Sequence, residues 1–400
     1  MDETDIEALI QPLIDRQTQI NDYVVDYIAR RIKEIGTVTP SDIKKIERLY
    51  QSGVDIRTIN KELARLAGMQ VSEIKKIINQ VALVSYQGTK PFYEIANKTF
   101  IPLKDNKPLQ NIIKAVAKQT SDTFVNLSKA QAFMIRDLKN PKILKPTPIA
   151  KTYQSIIDEA VQAAQSGTID YKTAMRRSLS QMIDSGIRSV TYNTETGRVF
   201  TQRLDTAVRR NILDGIRAIN QGVQDETGKQ FGADGKEITV HRYSAPDHEP
   251  VQGHQFTNEE FEKLQNHQNF EDVDGEKFKG FPRSIGVWNC RHFTYSIIIG
   301  HAKPNYTKEQ LEAFKEENQK GYTLPNGKHL TMYECTQKQR DYELKIRRAG
   351  EAKRSAEEAG DTELAEKYKA KRIKLMNEYK EFSKACGLSV KMEKTQIITK

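Results

Sequence analysis

Apolar residues at Ile6, Leu9, Ile10, Leu13, Ile14, Ile20, Val24, Ile28, Ile32 and Ile35 recur mostly at steps of three and four. That is the period of one face of a helix. The pattern predicts a long amphipathic helix, opened by the capping-box pair Thr4 and Glu7 and stopped at Gly36. Thr39-Pro40 predicts the start of a second helix, because proline at the first helical position loses no hydrogen bond, and Gly53 predicts its end. Shorter helices are predicted near 56–67, 72–85, 108–120 and 122–138. The stretch NPKILKPTPIA holds Pro141, Pro146 and Pro148 and predicts a linker.

The pattern then becomes mixed. A helix is predicted over about 149–166, and a second one capped by Asp170 and ended by Gly186. RSVTYNTETGRVFTQ alternates β-rich runs around a polar turn at Gly197 and predicts a hairpin. Asp205 caps a further helix, TAVRRNILDGIRAINQGVQ. ETGKQFGADGKE is expected to be a loop, and ITVHRYSA a strand. From Pro246 to Gly300 the chain is expected to be irregular, apart from a short helix near 258–266 capped by Thr257 and Glu260 and a buried strand, FTYSIII. Helix returns at 308–320. Thr331 and Glu334 cap the first of two charged helices that meet near Gly360-Asp361. Their apolar stripes are thin, so they are expected to pack on a partner or on each other. The fold class expected is mainly α with an α+β module. It comprises a helical N-terminal domain (1–140), a proline-rich linker (141–148), a central α+β domain with a short hairpin and irregular loops (149–304), and charged C-terminal helices (305–400).

Charge changes this picture little. The net charge is +10, but acidic residues are interleaved with basic ones in the C-terminal helices, which suits a solvated face better than a nucleic-acid arm. The hydrophobic fraction, 37%, is lean for one large globule. No run reaches the ~18 apolar residues of a membrane span. The acidic N-terminus lacks the basic start of a signal peptide, so the protein is expected to stay in the cell that makes it. Cys290, Cys335 and Cys386 are too few and too scattered for a disulfide framework.

Candidate chemistry gathers in two segments, SAPDHEPVQGHQF and GVWNCRHFTYSIIIG. They hold His248, Cys290 and His292, with His254 and Asp247 nearby. Cysteine and histidine are the usual donors to zinc, which makes zinc the one candidate cofactor. The C-x-H spacing is not a standard zinc pattern, and no second cysteine supports it. A Cys–His catalytic pair would need an orienting third group and an oxyanion loop, and neither is visible. A third reading makes the segment a structural brace, with Gln252, Gly253, Trp288, Asn289 and Arg291 holding an irregular stretch together. There is no P-loop, dinucleotide-binding or calcium-loop motif. No catalytic residue is assigned.

Taken in order, several motifs resemble the phage minor capsid protein 2 family, which is related to the Mu-like head morphogenesis proteins. They are the YKTAMRRSLSQMIDSG…RAINQ stretch, HEPVQGHQF, GVWNCRH, and Gln339, Arg340, Glu343, Ile346 and Arg347 of YECTQKQRDYELKIRR. Val251 stands where the family usually shows tryptophan. His248 and His292 fall on family positions, and His254 falls where lysine is usual. The resemblance implies a structural virion protein rather than an enzyme. It would lie in the capsid interior near the portal vertex, having been made in the bacterial cytoplasm. Its partners would be the portal protein and other capsid or scaffold subunits, with non-specific contact with packaged DNA, and it would assist head assembly or DNA passage. The alternative is a virion-carried metal-dependent or ADP-ribosyltransferase-like enzyme.

Overall fold

The computed structural model describes residues 3–36, 54–136, 142–153, 155, 180, 182–183, 185–192, 199–272, 275–285, 290 and 292–397. Helices dominate: α1 (Glu3–Gly36), α2 (Val54–Gly88), α3 (Lys90–Ile95), α4 (Lys107–Lys129), α5 (Leu204–Phe231), α6 (Asn258–Gln265), α7 (Lys308–Lys320), α8 (Met332–Glu358) and α9 (Thr362–Ala385). The predicted stripe of α1 is its buried face, since Ile6, Ile10, Leu13, Ile14, Ile20, Val24 and Ile28 are all buried. The expected helix between Pro40 and Gly53 lies outside the described residues, as does most of the one after Asp170, of which residues 180, 182–183 and 185 are helical.

Several predicted elements differ, and the stretch expected as a proline-rich linker holds strand β2 (Leu144–Pro148). The helices expected at 56–67 and 72–85 are one helix, α2, running through Gly68. The helix expected over 122–138 ends at Lys129, and Gln131–Arg136 is strand β1. The loop expected at ETGKQF is the last part of α5, while the strand expected at ITVHRYSA lies earlier, as β5 (Gly235–Ile238).

The chain forms two compact units, each drawn from three stretches. The first comprises 1–11, 72–123 and 209–338. It holds a two-stranded pair, β7 (Phe270–Glu271) with β8 (Lys277–Phe278), and an antiparallel three-stranded sheet in the order β6 (Gln255–Thr257), β5, β9 (Thr294–Ile297). Ile238 pairs with Thr294, and Glu237 with Gln255 and Tyr295. Helix α5 lies very close to its neighbours in this unit at three glycines. A Cβ on Gly215 would stand 2.4 Å from Thr120 Oγ1, one on Gly222 2.7 Å from Ile112, and one on Gly228 2.9 Å from Ser296 of β9. Gln224 fastens the same contact by accepting the Ser296 N–H at 3.0 Å. Under the sheet lies a core of Ile238, Val251, Phe256, Phe261, Leu264, Phe278, Phe281, Ile285 and Cys290. The Thr257–Glu260 capping box opens α6 as predicted.

The second unit comprises 12–71, 124–208 and 339–400. Its antiparallel sheet runs β2 (Leu144–Pro148), β1, β3 (Arg188–Tyr192), β4 (Val199–Arg203). The β3–β4 pair is the predicted hairpin, with Val190 opposite Thr201. Charged groups are buried here in pairs. Arg203 lies between Asp205 and Glu351, at 3.4 and 3.5 Å. Arg354 reaches Asp22 at 2.8 Å and Asp26 at 3.1 Å. From Gln339 onward the charged helices are therefore packed within this unit. The apolar stripe of α8 is narrow because Ala349, Ala352 and Ala356 make up much of it beside Cys335 and Ile346, and small side chains let neighbours come close.

Candidate functional site

The site forms where the turn before β6 meets the chain entering β9, both in the first unit. His248 begins a tight turn in which the N–H groups of Val251 and Gln252 donate to its carbonyl at 3.3 and 3.2 Å. Gly253 follows with φ +75, a left-handed conformation that disfavours other residues, and a Cβ there would meet Leu311 at 2.5 Å. Its N–H donates to Ile238 of β5 at 2.8 Å, which ties the turn to the sheet. On the other side, Phe293 N–H donates to Thr239 Oγ1 at 2.9 Å and fixes residues 292–293 beside the end of β5.

These tethers converge on one thiol. Cys290 Sγ lies 3.5 Å from His248 Nδ1 and 3.6 Å from His292 Nδ1. All three side chains are buried, and they form the one such group of potential metal donors among the described residues. The far nitrogen of each ring is also engaged. His248 Nε2 donates to the Arg283 carbonyl at 2.6 Å. His292 Nε2 lies 3.4 Å from both Gln252 Oε1 and Ser244 Oγ. Gln252 Oε1 accepts the His241 backbone N–H at 2.9 Å, which identifies that atom as the amide oxygen. His241 stacks edge-on to His292, with ring centroids 4.7 Å apart.

Burial sets the electrostatics of the rings. It pushes His241 down to about 4 and drives His292 well below the ordinary histidine value, with His241 and His248 adding repulsion. Burial opposes charge on His248 as well. There the Cys290 contact, the Arg283 carbonyl and Asp247 outweigh it, and the net shift is upward. Asp247 pairs with Arg283 at 2.9 Å and stands 3.8 Å from His248 Nε2.

Of the residues singled out in the sequence, His248, Cys290 and His292 are together. Asp247 stands behind His248 rather than beside the thiol. His254 is elsewhere, against the rings of Phe256 and Phe278. Gln252 faces His292, and Gly253 makes the turn. Trp288, Asn289 and Arg291 lie outside the described residues. Sequence reading missed His241, Ser244 and Arg283. His241 and Ser244 were hidden inside a segment read as strand, and Arg283 carries no motif because its carbonyl meets His248 and its guanidinium meets Asp247 only in the fold. His292 also lines a cavity of about 690 Å³, shared with Asp214, Arg217, Gln221, Lys236 and Phe261.

The site is built from the two segments that carry the sequence resemblance. No curated protein and no solved structure matches the chain. The sequence model of phage minor capsid protein 2 matches residues 1–382, reaching into both compact units and across every motif quoted above. With nearly the whole chain matched and both halves of the buried cluster inside the match, the protein belongs to the phage minor capsid protein 2 family.

Proposed function

We propose that this minor capsid protein sits at the portal vertex, inside the phage head, and assists head assembly or the passage of DNA. The observation that carries the reading is the extent of the family match, residues 1–382, which makes a capsid role that of the chain as a whole. Other capsid subunits are then its partners, with the portal protein foremost. Among the described residues no helix is long and apolar enough to cross a membrane. The net charge of +10 suits non-specific contact with packaged DNA as a secondary interaction. The family match lends no support to a virion-carried enzyme.

The test is incorporation into DNA-free procapsids. The full chain is co-expressed with the portal and major capsid proteins of its phage, and the particles are sedimented across a salt series. Incorporation that needs the portal and survives salt supports the proposal. Absence from DNA-free heads would refute it, and binding that appears only with DNA and collapses with salt would make it a DNA-binding accessory instead. Deleting residues 339–400 is not a clean way to map the docking surface. That deletion strips Glu351 from buried Arg203 and Arg354 from Asp22 and Asp26.

A further inference from the structure

We propose that His248, Cys290 and His292 bind a single zinc ion through His248 Nδ1, Cys290 Sγ and His292 Nδ1, with water as the fourth ligand.

The first support is geometric. Zinc–nitrogen bonds of about 2.0–2.1 Å and a zinc–sulfur bond of about 2.3 Å, set at tetrahedral angles, require a nitrogen–sulfur separation of roughly 3.6 Å. The two separations here are 3.5 and 3.6 Å. Two edges of a zinc tetrahedron are thus in place, and the donor atoms of the three residues all lie within 4.8 Å of one another.

The second support is the count of protons. His248 Nε2 faces a backbone carbonyl, and His292 Nε2 faces the Gln252 amide oxygen. Acceptors at those positions hold the ring protons on Nε2 and leave both Nδ1 lone pairs directed at the same sulfur. A thiol has one proton and can satisfy only one of them. A divalent cation satisfies both, while Cys290 releases its proton to solvent and binds as thiolate. A carbonyl or amide oxygen on the outer nitrogen is also the usual support of a metal-bound histidine, because it fixes the tautomer and makes the ring a better donor. The nitrogen and thiolate set favours zinc over magnesium or calcium, which take oxygen ligands. Of the three ligands, His292 is the one that lines the neighbouring cavity.

The ion would join two segments that secondary structure leaves apart, the turn at 248–253 and the chain entering β9. It therefore goes beyond the capsid role and stands or falls separately from it. The test uses the untagged full-length chain, purified without chelator. About one zinc per chain is expected, and its X-ray absorption spectrum should show one sulfur and two imidazole neighbours. Replacing zinc by cobalt(II) should give a thiolate-to-cobalt charge-transfer band. That band should vanish in Cys290→Ser and persist in Cys335→Ser and Cys386→Ser. Should Cys290→Ser fail to fold, Cys290→Asp keeps an anionic ligand and should bind cobalt without the band. Gln252→Ala should weaken zinc roughly 10–100-fold, as expected for loss of a supporting partner. A chain isolated metal-free that takes up neither ion, or an absorption spectrum without sulfur, would overturn the proposal.

Discussion

Arg354 offers the sharpest test of how the second unit is held. Its guanidinium meets Asp22 at 2.8 Å and Asp26 at 3.1 Å, and the three side chains are 19%, 8% and 15% exposed. At such burial solvent screens little of the interaction. Each pair is worth on the order of 4 kcal/mol of Coulomb energy at an intermediate dielectric, most of it offset by desolvation. Arg354→Met removes the attraction and leaves two carboxylates buried beside each other, so we expect a loss of about 3–5 kcal/mol. Burial already raises both aspartate pKa values, with Arg354 holding them down. Without Arg354 they rise further. A carboxyl whose folded pKa lies above its unfolded value adds stability at low pH and loses it as pH rises through the folded pKa. The deficit of the variant should therefore be largest at neutral pH and should shrink as pH falls towards the unfolded value of about 3.9. Urea unfolding followed by circular dichroism at several pH values measures this. Adding Asp22→Asn and Asp26→Asn to Arg354→Met should restore more than half of the loss at neutral pH. A deficit below about 1 kcal/mol, the level of a surface pair, or one independent of pH, would refute the reasoning.

Two further outcomes follow from single contacts. Gly253→Ala adds a Cβ 2.5 Å from Leu311 at φ +75, and should cost about 2–4 kcal/mol from strain and overpacking together, read as a lowered thermal midpoint; an unchanged midpoint would show that the turn can relax. Tyr379→Phe removes a hydroxyl that accepts the Lys391 N–H at 2.8 Å and donates to Glu343 at 3.1 Å, and should cost about 1–3 kcal/mol, with faster amide exchange at Lys391 as the local signature.

Much of the helical framework was legible because periodicity and caps are local signals. The α1 stripe, the α6 capping box and the Thr331–Glu334 cap of α8, with bonds of 2.9 and 3.2 Å, needed no tertiary information. The failures share a cause in glycine and in long-range pairing. Gly228 was read as a loop residue, yet it lies inside α5, where Ser296 packs against it and leaves no room for a side chain. Gly68 falls between the helices expected at 56–67 and 72–85, yet α2 continues through it with open space around the position. β1 looked helical by composition and became a strand because β2 and β3 pair with it on either side. At the site, residue types pointed to His248, Cys290 and His292. Spacing could not show that a turn 42 residues before the cysteine brings a histidine to its sulfur. His241, Ser244 and Arg283 were beyond reach because each meets a histidine distant in sequence, His292 for the first two and His248 for the third.

The way each unit is drawn from three separated stretches has a consequence for how the protein is made. Residues 1–11 belong with 209–338, and 12–71 with 339–400. Neither body can close on the ribosome as its first segment emerges, since each awaits partners hundreds of residues later. Sequence-distant closure of this kind slows folding and lengthens exposure of apolar surface. Ile10, Leu13 and Ile28, all buried in the finished protein, must remain shielded until most of the chain has been synthesised. Yield in a heterologous host should therefore respond to chaperone supply and translation rate more than to any single stabilising substitution.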